Sequence, residues 1–293
     1  MKPAPFEYFA PQAIDEALVL LQKYGEEAKI LAGGQSLMPL LSLRLARPAV
    51  IIDINRLRDL AFIRSEPDGG LSIGALARQR AVERSEEVAT RCPLIAAAIP
   101  LIGHFQIRNR GTVGGSLAHA DPAAELPAVS LALEAELVAR SARGERVIAA
   151  KDFFLGYMTT AIEPSELLTE IRIPATRPRA GWAIEEVARR RGDFAMVGVV
   201  ALIELNGNDT CQTARIVVFG AGEKPERAAR AEKLLRGNGP NERALAEAAR
   251  AVSEDLDPVS DVHASAEYRK EVGGVLTRRA LESAFKRAQQ RTA

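Results

Sequence analysis

Two glycine-containing segments carry the residue types best suited to binding a phosphorylated ligand. The first is residues 32–37, with the sequence AGGQSL. Its two glycines let the main chain approach a ligand closely, and the N–H groups at a following helix start can bind an anion such as a pyrophosphate. The side chains of Gln35 and Ser36 can add hydrogen bonds. A strand-to-helix turn that simply requires glycine explains these six residues equally well.

The second segment, residues 107–125, is more specific. Its sequence, IRNRGTVGGSLAHADPAAE, places hydroxyl groups beside three glycines and then continues with small residues. Polar side chains follow at His119, Asp121 and Glu125. Small residues with a few hydroxyl groups suit a groove that holds a long, flat, phosphorylated ligand better than they suit a packed core. We therefore expect this segment to line a ligand site.

Neither segment has the spacing of the common nucleotide motifs. The G-x-G-x-x-G pattern of dinucleotide folds is absent, and no lysine follows the glycines as in the P-loop. Phosphoryl transfer from ATP is therefore not expected. Two glycine segments about 80 residues apart, each near a strand end, instead predict a ligand that spans a cleft between two subdomains.

The composition excludes several other classes of site. Lys and Arg total 39 and Asp and Glu total 38 in 293 residues, so the net charge of +1 provides no basic surface for a nucleic acid. Only Cys92 and Cys211 are present, which leaves no disulfide framework and no four-cysteine iron–sulfur site. The three histidines are too dispersed for the usual metal-ligand spacings. We expect no metal and no nucleic-acid partner, and we assign no catalytic residue.

Short helices and strands must position the two segments. A β-type run at 28–32 leads directly into the first segment, and the glycine-dense residues 111–115 of the second are expected to form a loop. Helical patterns are predicted at 14–24, 37–45, 77–85, 94–99 and 123–133, and strands at 50–53, 61–64, 71–74, 136–139, 146–150 and 167–173. Because helices and strands mix without a regular alternation, the expected fold class is α+β.

Residues 174–181 (PATRPRAG) are typical of a linker, since they combine two prolines, a glycine and arginines. Three β-type runs at 182–187, 195–205 and 214–221 then precede helical patterns at 226–235, 242–253 and 267–290. This order predicts a C-terminal sheet covered by helices on one face. The N-terminus has no leader-like apolar region, and no uncharged apolar run approaches the roughly 18 residues of a membrane span. We expect a cytoplasmic, soluble chain with no integral membrane segment.

Together, the two segments resemble the flavin-binding loops of the FAD-binding (medium) subunit of molybdenum hydroxylases. This family includes aerobic carbon monoxide dehydrogenase and xanthine dehydrogenase. The resemblance extends over essentially the whole chain, since residues 153–157 (FFLGY), 166–174 (ELLTEIRIP) and 188–195 (ARRRGDFA) occur in the family's order. It implies a PCMH-type FAD-binding domain over residues 1–175, with subdomains of about 1–57 and 58–175. A carbon monoxide dehydrogenase flavoprotein-type domain then covers residues 176–293.

The resemblance also implies cofactor-binding positions. The first segment would bind the pyrophosphate of FAD, the second would bind phosphate and ribitol groups, and Glu125 would lie near the adenosine or ribityl hydroxyls. The implied FAD-binding residues are Lys29, Ala32, Gly33, Gly34, Gln35, Ser36, Leu37, Thr112, Gly114, Gly115, Ser116, His119, Asp121, Glu125 and Ile162. The sequence departs from the family where Glu185 or Glu186 aligns with a lysine commonly found near the flavin ring. The resemblance therefore does not imply a cationic contact between this chain and the isoalloxazine ring.

The implied activity is that of an oxidoreductase subunit. Electrons from a large molybdopterin subunit would pass through a small [2Fe–2S] subunit to FAD on this chain and then to an external acceptor. The complex would be a dimer of heterotrimers. Two alternatives stay open: a self-contained FAD-dependent reductase on the same fold, resembling UDP-N-acetylenolpyruvoylglucosamine reductase, and a non-catalytic nucleotide-binding module. The substrate is not readable from this chain.

Overall fold

The structure is a computed structural model that describes residues 1–291, and it contains a small parallel sheet, two antiparallel sheets and a short hairpin. The strands are β1 (Glu7–Phe9), β2 (Ala28–Leu31), β3 (Val50–Asp53), β4 (Ile63–Ser65), β5 (Leu71–Gly74), β6 (Glu136–Ser141), β7 (Gly144–Ala149), β8 (Phe154–Gly156), β9 (Thr159–Thr160), β10 (Leu167–Ile173), β11 (Ala180–Ala188), β12 (Ala195–Leu205), β13 (Cys211–Phe219) and β14 (Glu226–Arg227). The helices are α1 (Ile14–Tyr24), α2 (Leu37–Ser42), α3 (Gln79–Glu83), α4 (Glu86–Arg91), α5 (Pro93–Ala98), α6 (Phe105–Arg110), α7 (Val113–His119), α8 (Glu125–Ala132), α9 (Ala150–Phe153), α10 (Ala229–Leu235), α11 (Glu242–Asp255) and α12 (Ala266–Gln290). The expected α+β class is confirmed.

The first sheet brings the first glycine segment to a strand end. Its order is β1-β3-β2, with all pairs parallel. Helix α1 buries Ala17, Leu18 and Leu21 against this sheet, as its apolar spacing requires. Strand β2 ends at Leu31, so residues 32–36 form the turn that leads into α2, which begins at Leu37.

The second sheet has the order β4-β5-β10-β6-β7 and is antiparallel throughout. Strand β5 is buried along its whole length because it lies between β4 and β10 under helices. Helices α3 to α8 occupy the chain between β5 and β6, and α7 packs on β5 and β10. The second glycine segment therefore lies above the centre of this sheet.

The C-terminal sheet, β11-β12-β13-β14, is covered on both faces. Helices α10, α11 and α12 share a core with one face, which includes Val199, Ala201 and Ile216. The opposite face, including Val200 and Phe219, belongs to the core formed with the N-terminal helices. The C-terminal helices therefore cover one face, as expected, and the other face packs on the N-terminal region because alternate residues of these strands are apolar on both sides of the sheet.

Helix α8 forms much of this second contact. All eight of its residues are buried, since it lies between the N-terminal helix α5 and the strands β12 and β13. A helix that is apolar around its whole circumference has no solvent face and belongs in a shared core. The N-terminal region, β1 to β10, and the C-terminal region, β11 to α12, are thus packed together through α8.

The glycine-dense residues do not form the expected loop. Helix α7 begins at Val113 and includes Gly114 and Gly115, because the Thr112 side chain caps its first turn. The sequence patterns also did not predict α4, α6 and α9 or the short strands β1, β8, β9 and β14, the last of which lies at the start of the helix predicted at 226–235. Helix α2 ends at Ser42, before the predicted residue 45, where Arg44 adopts a positive φ of 59°. Within residues 1–291, no helix is long and apolar enough to cross a membrane.

Candidate cofactor site

The two glycine segments are in direct contact, although about 80 residues separate them in the sequence. A Cβ atom built on Gly33 would lie 2.5 Å from the carbonyl oxygen of Arg110 and 2.8 Å from Cα of Gly111. A Cβ atom on Gly115 would lie 3.9 Å from Cβ of Ala32. The fold therefore brings the first segment against both the start and the helical part of the second.

The first segment offers backbone donors that the protein itself does not use. Gly34 has a positive φ of 73°, and the Gln35 side-chain amide donates to the carbonyl of Gly33 at 3.0 Å. Among residues 1–291, no protein acceptor takes a hydrogen bond from the N–H groups of Gly34, Gln35 and Ser36. Backbone donors of this kind need partners, and an anionic ligand can supply them.

In the second segment, the backbone N–H groups at the start of α7 already donate to acceptors within the protein. The N–H groups of Val113 and Gly114 donate to the carbonyls of Ala77 and Ala75, at 3.0 and 2.9 Å. The N–H of Gly115 donates to Oγ1 of Thr112 at 3.1 Å. This segment can therefore offer the Ser116 hydroxyl and a close surface, whereas the free N–H groups belong to the first segment.

Gly114 and Gly115 have different surroundings. A Cβ atom on Gly114 would overlap the backbone and Cβ of Ala75, so α7 can pack here only with glycine. A Cβ atom on Gly115 would meet Oγ1 of Thr112 at 2.6 Å and otherwise only ordinary contacts at 3.9 Å. Gly114 thus allows α7 to pack on the backbone of Ala75, whereas Gly115 allows the Thr112 hydroxyl to cap α7 and brings the helix close to Ala32.

The polar residues after α7 lie around a tight turn. His119 is the last residue of α7, and Ala120 follows it in a left-handed conformation with a φ of 51°. Asp121 accepts a hydrogen bond from the N–H of Ala123 at 2.9 Å through Oδ1. Glu125 then begins α8 and is only 5% exposed. The turn brings all three polar side chains to one end of α7.

Two buried carboxyl groups lie across the contact between the two regions. Burial and the nearby Glu186 raise the pKa of Glu125 to about 8. Burial also raises the pKa of Glu186 to about 7, and its Oε2 atom is buried with no hydrogen-bond partner in residues 1–291. Glu186 lies on β11, on the same face as Ile184, which packs against the N-terminal core. Near neutral pH the Glu125 carboxyl group is therefore held largely protonated, and the Glu186 carboxyl group is about half protonated.

The structure does not bring every expected residue into contact with the two segments. Lys29 is exposed on β2 and shares a strand face with Leu31, whose side chain lies 3.2 Å from a Cβ atom built on Gly34. Ile162 follows β9, a strand that contacts α7, and its N–H donates to Oγ1 of Thr160 at 3.4 Å. Lys29 and Ile162 thus flank the site from neighbouring elements.

The two cysteines lie outside the site and are buried. Burial raises the pKa of Cys92 to about 12 and that of Cys211 to about 11. Both are therefore neutral thiols at physiological pH and poor nucleophiles.

The sequence reading missed three polar residues beneath the two segments. Asp53 is the last residue of the parallel strand β3, Asn55 follows it, and Arg78 precedes α3. Asn55 donates through Nδ2 to the carbonyl of Ala32 at 2.8 Å, and Arg78 donates to the carbonyl of Arg110. The signal available was an Asp and an Asn at the carboxyl end of a parallel strand, where ligand sites of α/β sheets are often found.

Comparison with known families identifies this arrangement. Residues 4–176 match the family described as the FAD binding domain in molybdopterin dehydrogenase, and residues 182–284 match the carbon monoxide dehydrogenase flavoprotein C-terminal domain. The chain belongs to the FAD-binding subunit family of molybdenum hydroxylases. The resemblance seen in the sequence is confirmed, and with it FAD as the cofactor of this family of oxidoreductases.

Relatives of this flavoprotein family match along nearly the whole chain. The 6-hydroxypseudooxynicotine dehydrogenase complex subunit alpha of Paenarthrobacter nicotinovorans is 43% identical over 98% of this chain and 97% of its own length. The carbon monoxide dehydrogenase medium chain of Hydrogenophaga pseudoflava is 38% identical over 98% of this chain and 99% of its own length. A solved structure of carbon monoxide dehydrogenase from that organism, lacking the Mo-pyranopterin moiety of the molybdenum cofactor, matches with a TM-score of 0.95 at 39% identity, covering 98% of this chain and 99% of the other.

The local structure fits the cofactor of this flavoprotein family. FAD carries an anionic diphosphate, and the turn after β2 supplies unpaired N–H groups beside a backbone that approaches closely at Gly33. Gly115 and Ala32 face each other closely enough that a Cβ atom on Gly115 would already be in contact with Ala32, so the two segments lie side by side at this point.

Proposed function

We propose that this chain binds FAD between the two glycine segments and transfers electrons through it. The electrons come from [2Fe–2S] clusters on a small partner subunit and ultimately from a large molybdopterin subunit, and they leave to an external acceptor. The observation that carries the proposal is the set of unpaired N–H groups at Gly34, Gln35 and Ser36, inside a chain that belongs to a flavoprotein family. The relatives named as a complex subunit and a medium chain support an assembly with other subunits.

We assign the diphosphate to the first segment and the ribityl or adenosine hydroxyls to the second. Gly34, Gln35 and Ser36 donate backbone N–H groups, and Gly33 allows the close approach. Fifteen residues form the proposed site: Lys29, Ala32, Gly33, Gly34, Gln35, Ser36, Leu37, Thr112, Gly114, Gly115, Ser116, His119, Asp121, Glu125 and Ile162. Gly114 contributes indirectly, by letting α7 pack close to Ala75.

The chain's own residues bind and orient the cofactor, and we assign none of them to substrate chemistry. When bound, FAD supplies the ability to accept electrons from a one-electron donor and pass them to a different acceptor. The carboxyl group of Glu125, largely protonated near neutral pH, can both donate and accept a hydrogen bond with a cofactor hydroxyl. Thr112 fixes the first turn of α7 by capping Gly115.

The proposed domains are residues 1–175 for FAD binding, divided at about residue 57, and residues 176–293 for the C-terminal domain. We further propose a dimer of heterotrimers. The substrate belongs to the large subunit in this proposal, which agrees with relatives named for 6-hydroxypseudooxynicotine and for carbon monoxide at similar identity to this chain. The cytoplasmic location stays a prediction.

Reconstitution with FAD tests the function directly. We expect the purified chain, alone or in its complex, to take up FAD as a yellow protein whose visible absorbance is bleached by dithionite. A chain that stays colourless after incubation with FAD contradicts the flavoprotein proposal. Oxidation of NADPH by the chain alone, with an enolpyruvyl sugar as acceptor, would instead support the self-contained reductase.

A further inference from the structure

Three polar side chains beneath the cofactor site form one hydrogen-bonded unit, here called the clamp: Asp53, Asn55 and Arg78. Asp53 accepts from the backbone N–H of Asn55 at 2.9 Å and from its side-chain amide at 2.6 Å. Tyr8 donates to the other oxygen of Asp53 at 2.7 Å. Arg78 donates through one terminal nitrogen to Oδ1 of Asn55 at 2.6 Å. The orientation of the Asn55 amide is therefore fixed on both sides.

The clamp bonds one carbonyl in each glycine segment. The Asn55 amide donates to the carbonyl of Ala32 at 2.8 Å, and the second terminal nitrogen of Arg78 donates to the carbonyl of Arg110. Ala32 directly precedes Gly33, and the Arg110 carbonyl is the atom against which Gly33 packs. Arg78 also forms an isolated antiparallel bridge with Thr112, the residue that caps α7. The clamp thus sets the separation of the two segments at their point of contact.

The clamp also places positive charge under the site. Burial and the nearby Arg110 cation lower the pKa of the Arg78 guanidinium. Burial raises the pKa of Asp53, but hydrogen bonds from Tyr8 and Asn55 outweigh it and leave that pKa below its usual value. Two cations thus lie near a single ionised carboxylate, which favours an anionic ligand above them.

We propose that Asn55 and Arg78 are positioning residues for the cofactor, which hold the two glycine segments at the spacing and charge required by the diphosphate of FAD. This inference rests on the proposed FAD site. Neither side chain has to touch the cofactor. A planar guanidinium is suited to this role because it can donate to two acceptors in a fixed geometry.

The test measures FAD affinity in variants that remain folded. Arg78→Gln removes the cation and the two-pronged donor, and Asn55→Asp replaces the donor to Ala32 with a carboxylate of the same shape. Arg80→Gln is the matched control, since Arg80 lies two residues away and pairs with Glu83 at 2.8 Å. FAD dissociation constants of the full chain are measured by quenching of flavin fluorescence. Circular dichroism and the melting temperature of the cofactor-free chain establish that each variant is folded at the assay temperature.

We expect Arg78→Gln and Asn55→Asp each to weaken FAD binding at least tenfold, and Arg80→Gln to change it less than twofold. The double variant should bind FAD about as weakly as the more strongly affected single variant, because both residues act through one connected unit. Folded variants with wild-type FAD affinity overturn the inference and leave the FAD proposal intact. Failure of the wild-type chain to bind FAD contradicts the proposed function itself.

Discussion

Three glycines of the site are required for three different reasons. Gly33 lies so close to the Arg110 carbonyl that any side chain would push the two segments apart. Gly114 packs against Ala75, where a Cβ atom has no space. Gly115 lies against the capping hydroxyl of Thr112, where a Cβ atom would come within 2.6 Å, so a side chain there would disturb the first turn of α7. Sequence alone could mark these positions as unusual but could not separate their roles.

Gly115→Val should therefore remove FAD from a chain that still folds. The branched side chain would press on Oγ1 of Thr112 and on Ala32, and so would shift the start of α7 relative to the first segment, at the proposed cofactor site. We expect flavin occupancy, measured from the absorbance ratio of flavin to protein, to fall at least tenfold. Gly207→Val is the control, since a Cβ atom there meets nothing within 4 Å. Full occupancy in the Gly115 variant would argue against this part of the site.

At the scale of elements, the sequence predicted the helices and strands whose signal lies within a short stretch of neighbouring residues. The apolar spacing of α1 and the alternation of β5 and β10 were sufficient to locate them. Helix α7 was read as a loop because glycine has a low helix propensity, and its formation depends on the Thr112 cap and on contact with Ala75. The clamp was not predictable, because Arg78 lies 23 residues from Asn55 and 32 from Arg110. Such contacts exist only after the sheets have formed.

The carboxyl groups of Glu125 on α8 and Glu186 on β11, whose pKa values burial raises, should make the stability of the fold depend on pH. In the unfolded chain, Glu125 and Glu186 lose their protons near the ordinary pKa of 4.5. In the folded chain the pKa is about 8 for Glu125 and about 7 for Glu186. The folded state therefore binds more protons between these values, and stability falls as the pH rises through that window. Below about pH 4.5 the effect disappears, since both states are protonated.

Glu186→Gln should remove part of this dependence. We expect the variant to raise the free energy of unfolding at pH 8.5 by about 1–2 kcal/mol, a value reduced because Glu186 is only partly buried, and to change it little at pH 5. Urea unfolding of the cofactor-free chain at the two pH values measures the difference. Glu185→Gln, which changes the neighbouring side chain on the other face of β11, is the control. An equal change at both pH values would show that Glu186 is not held protonated.

At the scale of the whole molecule, the two regions share one buried core. Val200, Val217 and Phe219 of the C-terminal sheet belong to the same cluster as Leu126 and Val129 of α8. Phe219 is fully buried, and its ring lies over Gly198 on the neighbouring strand. Removing this ring should therefore affect both regions together.

Phe219→Ala should lower the free energy of unfolding by about 3–5 kcal/mol, through the lost transfer free energy and the cavity left behind. We expect the two regions to unfold in one transition at a lower temperature, which calorimetry of the full chain would detect. Phe194→Ala serves as the comparison, since Phe194 is 63% exposed and its loss should cost little. Two separate transitions in the wild-type chain would contradict the shared core.

The complete burial of α8 has a consequence for how such chains can be recombined. A chimera that joins the N-terminal half of one relative to the C-terminal half of another must match α8 to the strands it covers, residue by residue in volume. A mismatch would leave cavities or overlaps along eight buried positions, with no solvent-facing side on which to accommodate them. Successful exchange between relatives should therefore keep α8 matched both to the N-terminal helix α5 and to the strands β12 and β13.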